Sequence, residues 1–177
     1  MTFPALHSGR GAAFQICFVC TGNICRSPMA EVVFRELATT GGIGDRIAVS
    51  SAGTGDWHVG EQADRRTLAA LSKRGFNGSL HRAKQFDPTW FEVLDLVVVL
   101  DHGQLRILTT WASNETDQAK VRLLLDFEPQ PGIVGDVPDP YYSDATAFDS
   151  VLLTIERACL TLYAQLEPAI RYGEIPR

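Results

Sequence analysis

Residues 14–28 read FQICFVCTGNICRSP, and this stretch decides the fold. Phe14 to Val19 is a short apolar run of the kind that forms a buried strand. Pro28 opens a helical pattern that sets Met29, Val33, Phe34 and Leu37 on one side. Proline at the first helical position, with Ser27 just before it, is a start signal. The segment between them, Cys20 to Ser27, must turn from a strand into a helix.

Outward from that turn the same alternation repeats. The cluster Gly41-Gly42-Ile43-Gly44 stops the first helix, and 47–51 reads as a second strand. A glycine-containing loop over 52–60 carries Trp57 and His58; a helix through Leu68 and Leu71 follows, closed by Gly75. The run 94–100 (LDLVVVL) is the most apolar β-branched segment and predicts a central buried strand. Residues 104–111 read as helix, 121–127 (VRLLLDF) as the fourth strand, and 128–144, with four of the nine prolines, as loop. Phe148, Val151, Leu152, Ile155, Cys159, Leu162 and Leu166 form a helical stripe. The expected fold class is α/β: one domain with a four-stranded parallel sheet and helices on both faces. Sites in such sheets form beyond the carboxyl ends of the strands, where the Cys20 loop lies.

Composition narrows the function classes. The 177 residues suit one domain, 45% are hydrophobic, and the net charge of −5 lacks the basic excess of a duplex binder, so nucleic acid is not expected as a partner. No apolar run is long enough to span a bilayer, and 1–13 lacks the apolar core of a signal peptide, so a flexible N-terminal tail is expected there and the domain over 14–177. Cys17, Cys20 and Cys25 crowd together while Cys159 stands alone, which implies a reducing compartment and a working thiol rather than a disulfide framework. Cys17 and Cys20 are formally C-x-x-C, but residues three apart on a strand face opposite ways, so a zinc knuckle is disfavoured. Cys17 and Cys159 read as core residues, His58 and His102 as surface residues.

The chemistry follows from the turn. Successive N–H groups of a tight loop converge into a nest, and the helix start adds unsatisfied donors and positive dipole. A dianionic phosphate suits such a site. Gly22 and Asn23 are residue types that accept the positive φ a curled loop requires. Arg26 adds a planar fork able to hold two phosphate oxygens at once. Cys20 lies at the base, where the helix start and the guanidinium favour a thiolate aimed in line at phosphorus; Ser27 can donate to that sulfur. The leaving group needs a proton donor, and Asp139, stiffened by Pro138 and Pro140, is favoured over Asp136. Trp57, in an exposed loop, and Tyr141 and Tyr142 are candidate walls of an aromatic cleft.

These residues resemble the low-molecular-weight protein tyrosine phosphatases, especially their bacterial, actinobacterial-type members. The resemblance rests on CTGNICRSP, on Asp139-Pro140-Tyr141-Tyr142, on VSSAGTGDWHVG (49–60) and on LVVVLD (96–101), and runs from about Phe14 to Leu166. It implies a flavodoxin-like three-layer sandwich and hydrolysis of phosphotyrosine through a cysteinyl-phosphate on Cys20. Arg26 would clamp the phosphate, with Thr21, Gly22, Asn23, Ile24, Cys25 and Ser27 around it. Asp139 would protonate the leaving tyrosine and then activate water. Asn23 would hold the loop through Ser51, and Ser27 would bond the thiolate. Trp57, Tyr141 and Tyr142 would wall the cleft. A reversible Cys20–Cys25 disulfide is the expected redox response, against a purely packing role for Cys25. No metal or cofactor is implied. The expected partners are phosphotyrosine-containing proteins and a kinase acting on Tyr141 or Tyr142. A cytoplasmic monomer is expected, with no membrane association; secretion independent of a signal peptide is not readable from these residues. His81 fits the family pattern only with one residue inserted near 77–80, and it stays outside the catalytic set.

Two rival functions keep the same loop. A thioredoxin-coupled arsenate reductase needs later cysteines to relay a disulfide, and only Cys159, in mid-helix, follows. A phosphotyrosine-binding module without turnover has no use for a nucleophile and an acid. Cys20, Arg26 and Asp139 together favour the phosphatase.

Overall fold

In the computed structural model, residues 14–128 and 135–172 are described; the expected tail over 1–13 lies outside them. Strands β1 (Phe14–Cys20), β2 (Ile47–Gly53), β3 (Leu96–Val99) and β4 (Val121–Leu123) form one parallel sheet in the order β2-β1-β3-β4. Helices α1 (Arg26–Thr40), α2 (Arg65–Lys73), α3 (His102–Trp111), α4 (Glu115–Ala119) and α5 (Ala145–Tyr172) cover it.

Alternation along β1 explains the layering. Ile16, Phe18 and Cys20 point into a core shared with Met29, Val33 and Phe34 of α1 and with Phe148, Leu152 and Ile155 of α5. Cys17 and Val19 point into a second core with Trp90, Phe91 and Leu108. A strand buried on both faces must be apolar, which FQICFV supplies at every position but Gln15, the one half-buried residue of β1. Phe18 meets Phe34 at 5.5 Å between centroids, and each such ring contributes about 2 kcal/mol by leaving water.

Three expectations need correction. The fourth strand stops at Leu123, and 124–127 form a 3-10 turn. Leu124 and Leu125 are both buried, which adjacent residues of a strand with one covered face cannot achieve. Helix α1 starts two residues before Pro28, with Cys25 as its N-cap. Proline is tolerated there because the first-turn N–H groups have no intrahelical partner anyway. Finally, Gly22 does not adopt positive φ; among the described non-glycine residues only Asn23 does, at 55°. The turn Pro88–Glu92 and helix α4, capped by Asp87 and Asn114, were not anticipated; both are short and signalled only by their caps.

The loops after β1, β2 and β3, and the segment 135–144 that leads into α5, meet at one edge of the sheet. None of the described helices is long and apolar enough to cross a membrane.

Candidate active site

The loop after β1 is turned inside out relative to a strand. Its carbonyls are held by donors outside it: Cys20 by Thr54 N–H (2.9 Å), Thr21 by Gly55 N–H (3.0 Å), Ile24 by Asp64 N–H (2.9 Å) and Cys25 by Met29 N–H (3.3 Å). The Asn23 carbonyl accepts from His81 Nε2–H at 2.7 Å. The N–H groups of Gly22, Asn23, Ile24 and Cys25 find no partner among the described residues. The N-cap of α1 carries no side-chain hydrogen bond either. With carbonyls tied outward, what remains is a cradle of free amides at a helix start, which suits an anion.

Asn23 fixes the curl. Its side-chain amide donates to Ser27 Oγ (2.8 Å) and Ser51 Oγ (2.9 Å), and its Oδ1 accepts Lys84 N–H (2.9 Å). Asparagine tolerates the left-handed backbone, and this fully bonded side chain locks it there. Gly53 allows the close approach of β2, since a Cβ there would stand 2.6 Å from the Thr21 carbonyl.

Cys20 Sγ lies 3.0 Å from Ser27 Oγ, which also reaches the Ala52 carbonyl at 3.2 Å. That hydroxyl can donate to a thiolate, or turn to the carbonyl when sulfur keeps its proton. Arg26 is buried and held by Asp101 (Nη1 to Oδ2, 2.8 Å), by the Val137 carbonyl (3.1 Å) and by Asp139 (Nη2 to Oδ2, 2.7 Å). Burial alone would weaken its hold on the proton, but the charges of Cys20, Asp139 and Asp101 outweigh it and raise it above the ordinary arginine value. Its Nε–H is buried without a partner among the described residues. A buried unpaired donor costs about 1–3 kcal/mol, a cost that an incoming phosphate oxygen would remove.

Above the cradle opens a cleft of about 350 Å³ whose sides include Ile24, Trp57, Tyr141 and Tyr142, with Asp139 at its edge. Trp57 is exposed, its ring lying over Gly55, where an added Cβ would overlap it. Tyr141 and Tyr142 both line the cleft and meet edge to face at 4.9 Å. His58, expected at the surface, also lines it and pairs with Glu61 at 2.8 Å. Asp136 is engaged elsewhere: its Oδ1 accepts from His102 N–H (2.9 Å) and lies 2.6 Å from the ring Nδ1. That pairing holds Asp136 below the ordinary carboxylate range. Cys17 and Cys20 face opposite sides of the sheet, as strand alternation requires. Cys159 is in the core, where burial pushes its thiol up.

Two supporting positions, Asp101 and Glu31, escaped the sequence, and a third, His81, was set aside there. His81 holds the Asn23 carbonyl and stands with Nδ1 3.6 Å from Glu31. Asp101, the last residue of LVVVLD, caps α3 and anchors Arg26. Glu31 joins Ser51, Arg35 and His81 beneath the cradle; its place on α1 beside the motif was the available signal. Burial alone would raise the Glu31 carboxyl, but His81, Arg35, Ser51 and Lys84 together bring it down to about 2.

A depressed carboxylate stabilises the fold above its unfolded value and loses that stabilisation as pH falls through the folded one. The group should therefore contribute on the order of 3 kcal/mol at neutral pH, lost between the ordinary 4.5 and about 2. Urea midpoints across that window should fall more steeply for the native chain than for Glu31→Gln. Equal slopes would show that Glu31 does not drive acid unfolding.

Residues 15–171 match the family model described as low molecular weight phosphotyrosine protein phosphatase. A low molecular weight protein-tyrosine-phosphatase of Streptomyces coelicolor is 49% identical over 160 residues, 89% of this chain and 96% of the relative. A protein tyrosine phosphatase of Entamoeba histolytica, solved with Hepes in its active site, superposes with TM-score 0.81 at 30% identity, covering 92% of this chain and 99% of that one. The YwlE arginine phosphatase of Bacillus subtilis, a cysteine-to-serine mutant with a phosphorylated active-site serine, superposes with TM-score 0.78 at 28% identity, covering 87% and 96%.

Proposed function

The chain belongs to the low molecular weight phosphotyrosine protein phosphatase family and is a protein-tyrosine phosphatase; within that class, we propose that it cleaves phosphotyrosine in proteins by two displacements at Cys20. The observation that carries the mechanism is the cradle of unpaired amides with Cys20 and Arg26 at its base.

The phosphate enters with its oxygens on the amides of 22–25 and on the free Nε–H of Arg26. Asp139 holds Nη2 of that guanidinium. The dianion competes for Nη2 and leaves the Asp139 carboxyl facing the leaving oxygen. The Cys20 thiolate then attacks phosphorus: an S–P bond forms, the P–O bond to tyrosine breaks, and Asp139 gives its proton to the departing oxygen. Asp139, now a carboxylate, takes a proton from water whose oxygen attacks phosphorus. The S–P bond breaks, phosphate leaves, and the thiolate is restored, with Ser27 donating to it. A serine that carries phosphate in the YwlE mutant is consistent with such an in-line position for the nucleophile.

The cleft favours a phenyl ring over the guanidine of phosphoarginine. Ile24, Trp57, Tyr141 and Tyr142 offer apolar and aromatic faces, whereas a phosphoguanidine presents several N–H donors that would need acceptors. Cys159, buried against α1 with its sulfur 3.9 Å from the Ala30 carbonyl, is no relay for Cys20, which speaks against an arsenate reductase. Wild-type enzyme should hydrolyse phosphotyrosine peptides, with chelator present, far faster than phosphoserine or phosphoarginine; preference for either rival would refute the substrate class. We propose further a cytoplasmic monomer, with Tyr142, almost fully exposed, and Tyr141 as sites open to a kinase.

Cys25 supports a redox reading. Both thiols are free, and the Cys25 thiol is pushed up to about 12, first by burial and then by the charges of Cys20, Asp64 and Asp139. Burial therefore makes Cys25 a poor first target for peroxide. Peroxide would convert the Cys20 thiolate to a sulfenic acid. Condensation with the Cys25 thiol would form a disulfide and release water. After peroxide and then dithiothreitol, the native enzyme should regain most activity while Cys25→Ser stays largely dead. Equal recovery would remove the protective role.

A further inference from the structure

Arg66 lies outside the cleft, yet its guanidinium connects both halves of the site. It stands in the first turn of α2, whose N-cap Asp64 accepts Arg66 N–H (2.8 Å), Nε (3.0 Å) and Nη2 (2.8 Å). The Asp64 N–H, in turn, is the donor to the Ile24 carbonyl of the cradle. From this fixed base the remaining donors cross to the acid segment: Nη1 reaches the Ser143 carbonyl at 2.8 Å and Nη2 the Tyr141 carbonyl at 3.1 Å. The guanidinium carbon also sits 4.4 Å over the Phe148 ring, at the start of α5. The peptide N–H of Tyr141 donates to Asp139 Oδ1 at 3.1 Å. One residue thus has its carbonyl held by Arg66 and its N–H holding the acid.

We propose that Arg66 is a positioning residue: resting on the proposed acid role of Asp139, it aims that carboxyl at the leaving oxygen through the Tyr141 backbone. Only a planar fork can hold Asp64 in two places and two carbonyls besides; an ammonium cannot. The other end of the segment is secured separately, by Asp136 with His102 and by Val137 N–H to the Leu100 carbonyl at 2.8 Å. Loss of Arg66 therefore frees the stretch carrying Asp139 while leaving the cradle's own ties in place.

The test is the dependence of kcat/KM on the leaving group. Arg66→Ala should lower kcat/KM for phenyl phosphate, whose leaving oxygen needs a proton, by about 10–100-fold. For an activated dinitrophenyl phosphate the loss should stay within about threefold, because that leaving group departs unprotonated. Arg66→Lys should behave like Arg66→Ala, and exposed Arg65→Ala, which removes the same charge, like the native enzyme. Asp64→Asn keeps a helix cap but breaks the two-pronged pairing; it should show the same selective loss more weakly, and it serves if Arg66→Ala does not fold. Equal loss on both substrates, or none on either, would overturn the proposal. Asp139→Asn is run in parallel. If it discriminates between leaving groups and the Arg66 variants do not, only the role of Arg66 fails; if Asp139→Asn itself does not discriminate, the acid assignment fails and the proposal with it.

Discussion

Cys20→Ser is expected to abolish turnover of phosphotyrosine, with a loss of at least about 10⁴-fold, while the protein stays folded and still binds phosphate. A serine hydroxyl holds its proton far more tightly than a thiol, and among the described residues the one side chain bonded to Cys20 Sγ is Ser27 rather than a general base. Ser27, at 3.0 Å, is a hydroxyl and not a base strong enough to take that proton. The cradle does not depend on sulfur: its shape comes from the Asn23 side chain and from the donors that hold its carbonyls. Phosphate binding followed by isothermal calorimetry should therefore survive in the variant. Residual turnover within about tenfold of the native rate would overturn the assignment of the nucleophile.

The second large effect belongs to Asp139. Asp139→Asn should slow hydrolysis of phosphotyrosine by about 10²–10⁴-fold, and of an activated aryl phosphate far less, because an amide cannot supply the proton the phenolate needs. Asp136→Asn provides the contrast. Asp136 faces His102 rather than the cleft, and an asparagine oxygen can still accept the His102 N–H. Its loss should be small and equal for both leaving groups. Exchange of the two phenotypes would mean that the wrong carboxylate has been assigned.

Why these residues were legible in the sequence, and others not, is a matter of distance along the chain. Strand β1, the cradle and the start of α1 are one continuous segment, so apolar run, turn residues and helix start could be read together. Asp139 announced itself by the prolines on both sides. The supports came from afar: His81 meets the cradle 58 residues beyond Asn23, and Asp101 meets Arg26 across 75. Nothing local in LVVVLD distinguishes a helix cap from an arginine anchor, and Asp101 is both. The start of α1 was misplaced because Pro28 is compatible with several first-turn positions, and only the direction of the amides tells which. Burial in the 3-10 turn after β4 likewise depends on what α5 covers, which the five residues LLLDF do not state.

The central claim is a covalent phosphate on Cys20. It is tested most directly in Asp139→Asn supplied with an activated aryl phosphate, where the first displacement proceeds and the water attack that needs a base is slowed. Rapid acid quench followed by intact-mass analysis and peptide mapping should find one phosphoryl group per chain, carried by the peptide containing Cys20. No phosphorylated protein, or phosphate on any other residue, would contradict the account.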